Sequence, residues 1–146
     1  MKANIITSII ALSVIFFSLV SCDKETILSS SQIPTEISDY VSTHFPNKKI
    51  LQVVKDVDMT TKTYDVILEE NINLEFNRKK EIISIEALSK LPESVIHPKI
   101  SQYVDVNFPD NFITEWQLEK KHQEINLNNG LDLVFTMDGD FIKIDN

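Results

Sequence analysis

Apolar and polar positions divide this chain into three regimes. From Ile5 to Val20 the only polar residues are Thr7, Ser8, Ser13 and Ser18, and no charge interrupts the run. Further on, apolar residues recur at helical spacing: Ile33, Ile37, Tyr40, Val41 and Phe45, and again Ile96, Ile100, Tyr103, Val104 and Phe108. Such a stripe marks an amphipathic helix with one buried face. Pro46 and Pro109 end both patterns, because the residue before a proline disfavours α geometry. The remaining segments alternate with period two. Tyr64, Val66 and Leu68 alternate with Asp65, Ile67 and Glu69; Phe112, Trp116 and Leu118 alternate with Ile113, Glu115, Gln117 and Glu119. This is the pattern of strands with one buried face and one wetter face. It predicts strands over 49–57, 63–69, 72–77 and 81–86, and over 111–119, 122–127, 131–136 and 140–145. Asn128-Asn129-Gly130 and Asp138-Gly139 are hairpin signals.

The two sets align with each other. Ile33 to Val41 runs parallel to Ile96 to Val104, Phe45-Pro46-Asn47 to Phe108-Pro109-Asp110, and Ile50 to Ile113. Later, Ile72 to Phe76 matches Leu131 to Phe135, and Ile82 to Glu86 matches Phe141 to Asp145, after a length change placed in the first hairpin. Loops tolerate such changes. The expected fold is therefore α+β: two tandem helix-plus-four-stranded antiparallel repeats, 33–86 and 91–146, with helices packed on one face of a curved sheet and the other face open.

Tyr40…Phe45-Pro46, Tyr103…Phe108-Pro109 and the run Asn129-Gly130-Leu131-Asp132-Leu133-Val134-Phe135-Thr136-Met137-Asp138-Gly139-Asp140-Phe141 resemble the β-lactamase-inhibitor-like, PepSY-like domains of Bacteroidetes envelope proteins. The resemblance covers 33–146. It implies a curved sheet whose free face binds protein, and its motifs are structural rather than catalytic. The first half departs from the pattern: its third turn is Asn77-Arg78-Lys79-Lys80, without Asp-Gly, and Asn71 replaces the glycine at 130.

The N-terminus carries an address. Lys2 and the apolar run fit a signal peptide over 1–21, and the run is short for a membrane-spanning helix of about 20 apolar residues. Leu19-Val20-Ser21-Cys22 resembles the lipobox of bacterial lipoproteins, which implies cleavage before Cys22 and acylation of it. Cys22 is the only cysteine, so lipid attachment also accounts for a thiol that no disulfide could use. Asp23 resembles an inner-membrane retention signal in one lineage and a surface-export signal in another; an outer-membrane location, periplasmic or surface-facing, is expected. The segment 22–32, with Ser29-Ser30-Ser31, reads as a flexible tether; a first strand through Thr26-Ile27-Leu28 is the alternative.

Composition then narrows the function classes. A net charge of −8 argues against nucleic acid, whose phosphates demand Lys and Arg. His44, His97 and His122 lack metal-ligand spacing, and Asp138-Gly139-Asp140 offers too few oxygens for calcium. With two glycines no phosphate loop is expected, and no catalytic constellation, cofactor or metal is expected either. Trp116 reads either as core or as a binding hot spot. The open face is expected to present Ile67, Ile113, Glu115, Gln117, Glu124, Asn126, Asp132 and Val134, as an interface or as a solvated face. The expected function is a lipid-anchored envelope binding module, docked to the membrane through acyl chains on Cys22, that holds an envelope or secreted protein in an inhibitor-like manner. The alternative is a structural or assembly lipoprotein, chaperone-like, without a tight soluble ligand.

Overall fold

The computed structural model describes residues 24–58 and 60–145. The segment 1–21 expected to be a signal peptide, and Cys22, lie outside the described residues. The elements run β1 (Thr26–Ile27), α1 (Thr35–His44), β2 (Ile50–Val57), β3 (Lys62–Leu68), β4 (Ile72–Phe76), β5 (Ile82–Glu86), α2 (Pro98–Asn107), β6 (Ile113–Leu118), β7 (His122–Leu127), β8 (Asp132–Thr136) and β9 (Phe141–Asp145).

The expected division into two helix-plus-four-stranded repeats does not hold. Among the described residues the strands form one open antiparallel sheet of nine strands in the order β1 to β9, accompanied by two α-helices. Two contacts make the difference. β5 pairs with β6 through Ser84 with Gln117, Ile85 with Trp116 and Glu86 with Glu115, so the sheet crosses from one half to the other without a break. Two separate four-stranded units would leave two unpaired edges at that point, each a row of open backbone donors and acceptors. The ninth strand comes from the segment 22–32, as the alternative of a first strand through Thr26-Ile27-Leu28 has it: Thr26 and Ile27 pair with Lys55 and Val54 and cover the outer edge of β2.

Each helix begins at a proline and stops before one. Pro34 precedes α1, and Pro98 takes the first position of α2, where its missing N–H costs nothing. His97 caps α2 by accepting the Lys99 amide proton at its Nδ1, 3.3 Å away. Its ring lies over Gly139, where a Cβ would sit 2.5 Å from Nδ1. At the far ends Phe45 and Phe108 leave helical geometry while their amides still donate to the Val41 and Val104 carbonyls at 2.8 Å.

Ile37 and Val41 of α1 and Ile100 and Val104 of α2 join one hydrophobic cluster with Val53, Val66, Leu68, Leu74, Phe76, Ile85, Ile125, Leu133 and Phe135 of the sheet. Each such side chain contributes about 1.5–3 kcal/mol on full burial. Tyr40 meets Phe76 edge-on at 5.3 Å between ring centroids, and Tyr103 meets Phe135 at 5.4 Å. Edge-to-face contact is a favoured arrangement of aromatic rings, so each helix is keyed to its own stretch of sheet.

Trp116 belongs to this core, and the one buried polar residue among those described, Gln123, is bonded to it. The indole Nε1 donates to Gln123 Oε1 at 2.9 Å, and Gln123 Nε2 donates to the Thr136 and Met137 carbonyls at 3.1 Å each. One amide thus ties β6 to β7 and to the β8–β9 turn. Gln123→Leu leaves the indole proton and two carbonyls without that partner. Equilibrium urea unfolding is expected to show a loss of about 1–3 kcal/mol.

Candidate functional site

No helix packs on the second face of the sheet among the described residues. Residues directly opposite one another on paired strands share a face, so the register defines what that face presents. One transverse row runs Gln52, Ile67, Asn73, Glu86, Glu115, Asn126, Asp132, Asp145. The next runs Val54, Asp65, Glu75, Ser84, Gln117, Glu124, Val134, Lys143. Carboxylates recur along both rows, and Lys143 is the one cation in either.

Of the residues expected here, Glu115, Gln117, Glu124, Asn126 and Asp132 come together around a depression of about 240 Å³ on β6, β7 and β8. Asn126 Nδ2 donates to Asp132 Oδ1 at 2.7 Å, closing one end of it. Ile67 shares the face and is partly exposed, but it lies on β3, three strands away from β6. Val134 sits between Glu124 and Lys143 in its row and is buried, so it offers little surface.

Ile113 is a correction. It belongs to the core and is only 6% exposed. A bulge between Ile113 and Glu115 adds Thr114 to the strand, and an added residue breaks the alternation. Counting back from Glu115 by twos therefore puts Ile113 on the wrong face. A bulge between Ile50 and Gln52 does the same in β2.

Sequence reasoning misses the carboxylates of the first half and His122. Asp65, Glu75 and Glu86 stand in the same rows as Glu124 and Glu115, and strict alternation with Val66, Leu74 and Ile85 is the signal for them. His122 begins β7 on the same face as Glu124, and its Nε2 lies 2.8 Å from Glu124 Oε1. Glu86 faces Glu115, Asp65 faces Glu75, and Asp132 faces Asp145. Like charges directly opposite are destabilising. Burial raises the carboxyls of Asp65, Glu75 and Glu115 above their ordinary values. Neighbours add to it: Asp56 and Glu25 act on Asp65, Asp65 acts on Glu75, and Glu86, Asp132 and Glu124 act on Glu115.

A cavity of about 300 Å³ lies elsewhere, between the end of α1 and the segment joining β5 to α2, with Phe45, Ile72 and Leu91 in its wall. Lys48 at its mouth is already paired with Glu70. Among the described residues no three His, Cys, Asp or Glu side chains are grouped as metal ligands.

The raised carboxyl of Glu115 gives a pH signature. The folded state holds that proton more tightly than the unfolded state does, so ionisation lowers stability as pH rises through the folded-state value. Glu115→Gln is expected to stabilise the protein by about 0.2–1 kcal/mol at neutral pH, the size of one like-charge pair. The gain should disappear as pH falls below the unfolded-state carboxyl value. Thermal melts of both proteins at neutral pH and in acid measure it.

The family model described as "Putative beta-lactamase-inhibitor-like, PepSY-like" matches the chain twice, over 18–84 and 62–143. Three solved structures from Bacteroides are similar. One, from Bacteroides thetaiotaomicron, is described as a "putative calcium-regulated periplasmic protein"; it is 26% identical, with a TM-score of 0.79 over 84% of this chain and 97% of its own. A periplasmic protein of a domain family of unknown function from Bacteroides vulgatus is 30% identical, with a TM-score of 0.77 over 86% and 99%. Another from the same species, described as periplasmic and of unknown function, is 27% identical, with a TM-score of 0.78 over 84% and 100%. No curated protein matches the chain.

Proposed function

The chain belongs to the β-lactamase-inhibitor-like, PepSY-like family, and from that premise we propose a non-enzymatic binding module of the bacterial envelope, which docks a positively charged protein surface on the open face of its sheet. The single observation that carries this reading is the opposition of carboxylates across the sheet, Glu86 to Glu115 and Asp65 to Glu75. A solvated face gains nothing from such pairs and loses stability by them. A partner that inserts Lys or Arg between the rows relieves the repulsion and gains complementarity, which raises association rate and specificity. The depression bounded by Glu115, Glu124 and Asp132 has room for one such side chain end-on.

The reading is inhibitor-like in form: a rigid sheet face presented to a folded partner. One similar structure carries a description that mentions calcium. Glu115, Glu124 and Asp132 border one depression but are not grouped as metal ligands, so a protein cation suits them better than a metal ion that needs six or more oxygens. We further assign Cys22 as the lipid attachment site. It would hold the module to a membrane while the acidic face stays clear of anionic headgroups.

Affinity capture from intact envelopes with mild crosslinking tests this. The expected result is one stoichiometric basic partner, retained at low salt, weakened at high salt, and lost from Glu115→Lys with Glu124→Lys. A partner that survives both reversals would defeat the assignment of the face. Absence of any partner, together with an envelope defect on deletion, would support a structural role instead.

A further inference from the structure

The two edges of the sheet are unlike. β1 contributes two residues, whereas β9 is a five-residue strand exposed along its whole length. Phe141, Ile142 and Ile144 are 37%, 49% and 45% exposed, and Met137 in the preceding turn is 49% exposed. A strand edge of this kind presents open backbone N–H and C=O groups, and proteins usually cover it. An apolar edge left bare is a template for another strand.

We propose that two copies of this chain pair antiparallel through β9, continuing the sheet across a two-fold axis that passes through Ile144. The register follows from the residues. Lys143 pairs with Val134 and Asp145 with Asp132, so both lie on the open face; Ile144 pairs with Leu133 and lies on the helix side. A two-fold axis normal to the sheet keeps like faces together, so it must pass through a residue and not between two. An axis through Lys143 sets Lys143 against its own copy, and an axis through Asp145 sets carboxylate against carboxylate. Only the axis through Ile144 sets Lys143 against Asp145 of the second copy, twice, with the two Ile144 side chains meeting on the helix side.

The same charges already attract within the strand, where Lys143 Nζ is 2.7 Å from Asp145 Oδ2. Pairing therefore exchanges the local contact of each copy for two contacts between copies, so the net gain comes from the backbone hydrogen bonds and the meeting of the two Ile144 side chains. Opposite charges directly across strands are favourable, and alternate residues add backbone hydrogen bonds. One five-residue strand is too short to reach a standard interface, which buries roughly 800 Å² per partner. The dimer should accordingly be weak and concentration-dependent. The acidic faces of both copies end on the same side, so the pair offers a continuous binding surface.

Sedimentation equilibrium of the full chain in mild detergent is the test, with circular dichroism to confirm that each variant folds. The expected result is a monomer–dimer equilibrium that weakens about tenfold for Lys143→Asp or Asp145→Lys alone, the effect of two reversed cross-strand pairs. The double exchange of both charges should restore it. Ile144→Cys should give a disulfide-linked dimer on mild oxidation beyond any that the parent chain forms through Cys22. A monomer at every concentration would overturn the proposal. So would a dimer indifferent to the single reversals, or open-ended oligomers formed by β9 on β1.

Discussion

The pairing of β5 with β6 is the constraint on which the rest of this molecule depends. Three residue pairs bridge the two halves, and they do different work on the two faces. Ile85 and Trp116 meet on the helix side and fuse what would be two small cores into one hydrophobic cluster. Small cores are marginal because little of the chain surface is buried, so fusion is worth more than either half's local contacts. On the other side the same seam sets Glu86 against Glu115. The backbone ladder that stabilises the fold thus also forces two carboxylates together.

That coupling gives the electrostatics a physical origin. A lone exposed strand would let these side chains turn away into water. A continuous sheet holds them in rows, partly desolvated, with their charges opposed. The burial that raises the carboxyls of Asp65, Glu75 and Glu115 is the burial of a packed sheet face. The core on the helix side supplies the stability that this face consumes. A complementary cationic partner would relieve it, which is why the acidic face is the part of the structure that best accounts for a binding role.

Much of the local structure is legible in the sequence. The stripes from Ile33 to Phe45 and from Ile96 to Phe108 mark the helices, though Ile33 and Ile96 precede the prolines at which the helices begin, and period-two runs mark strands close to where they lie. The assembly is not legible. Pattern describes each strand's own faces and says nothing about which edge meets which, so the join of β5 to β6 and the continuous sheet escape it. Thr26 and Ile27 carry no alternation, and a two-residue strand has no periodicity to read. Alternation misplaces Ile113 because the bulge beside it has no glycine or other signature of its own. At the site, Glu115, Gln117, Glu124, Asn126 and Asp132 can be found from pattern because they lie past the bulge of β6, on β7 next to it and on the strand that follows, where alternation is unbroken. His122 opens the expected strand 122–127 and begins the same alternation, but it is not among the residues expected on the open face.

The most direct measurement of the central claim is site-specific photocrosslinking in living cells, with the photoreactive residue at Gln117, in the middle of the acidic face, and in a second strain at exposed Thr43 on α1. The account predicts a discrete crosslinked partner from position 117 and none from position 43. Crosslinks from position 43 alone would place recognition on the helices and contradict it.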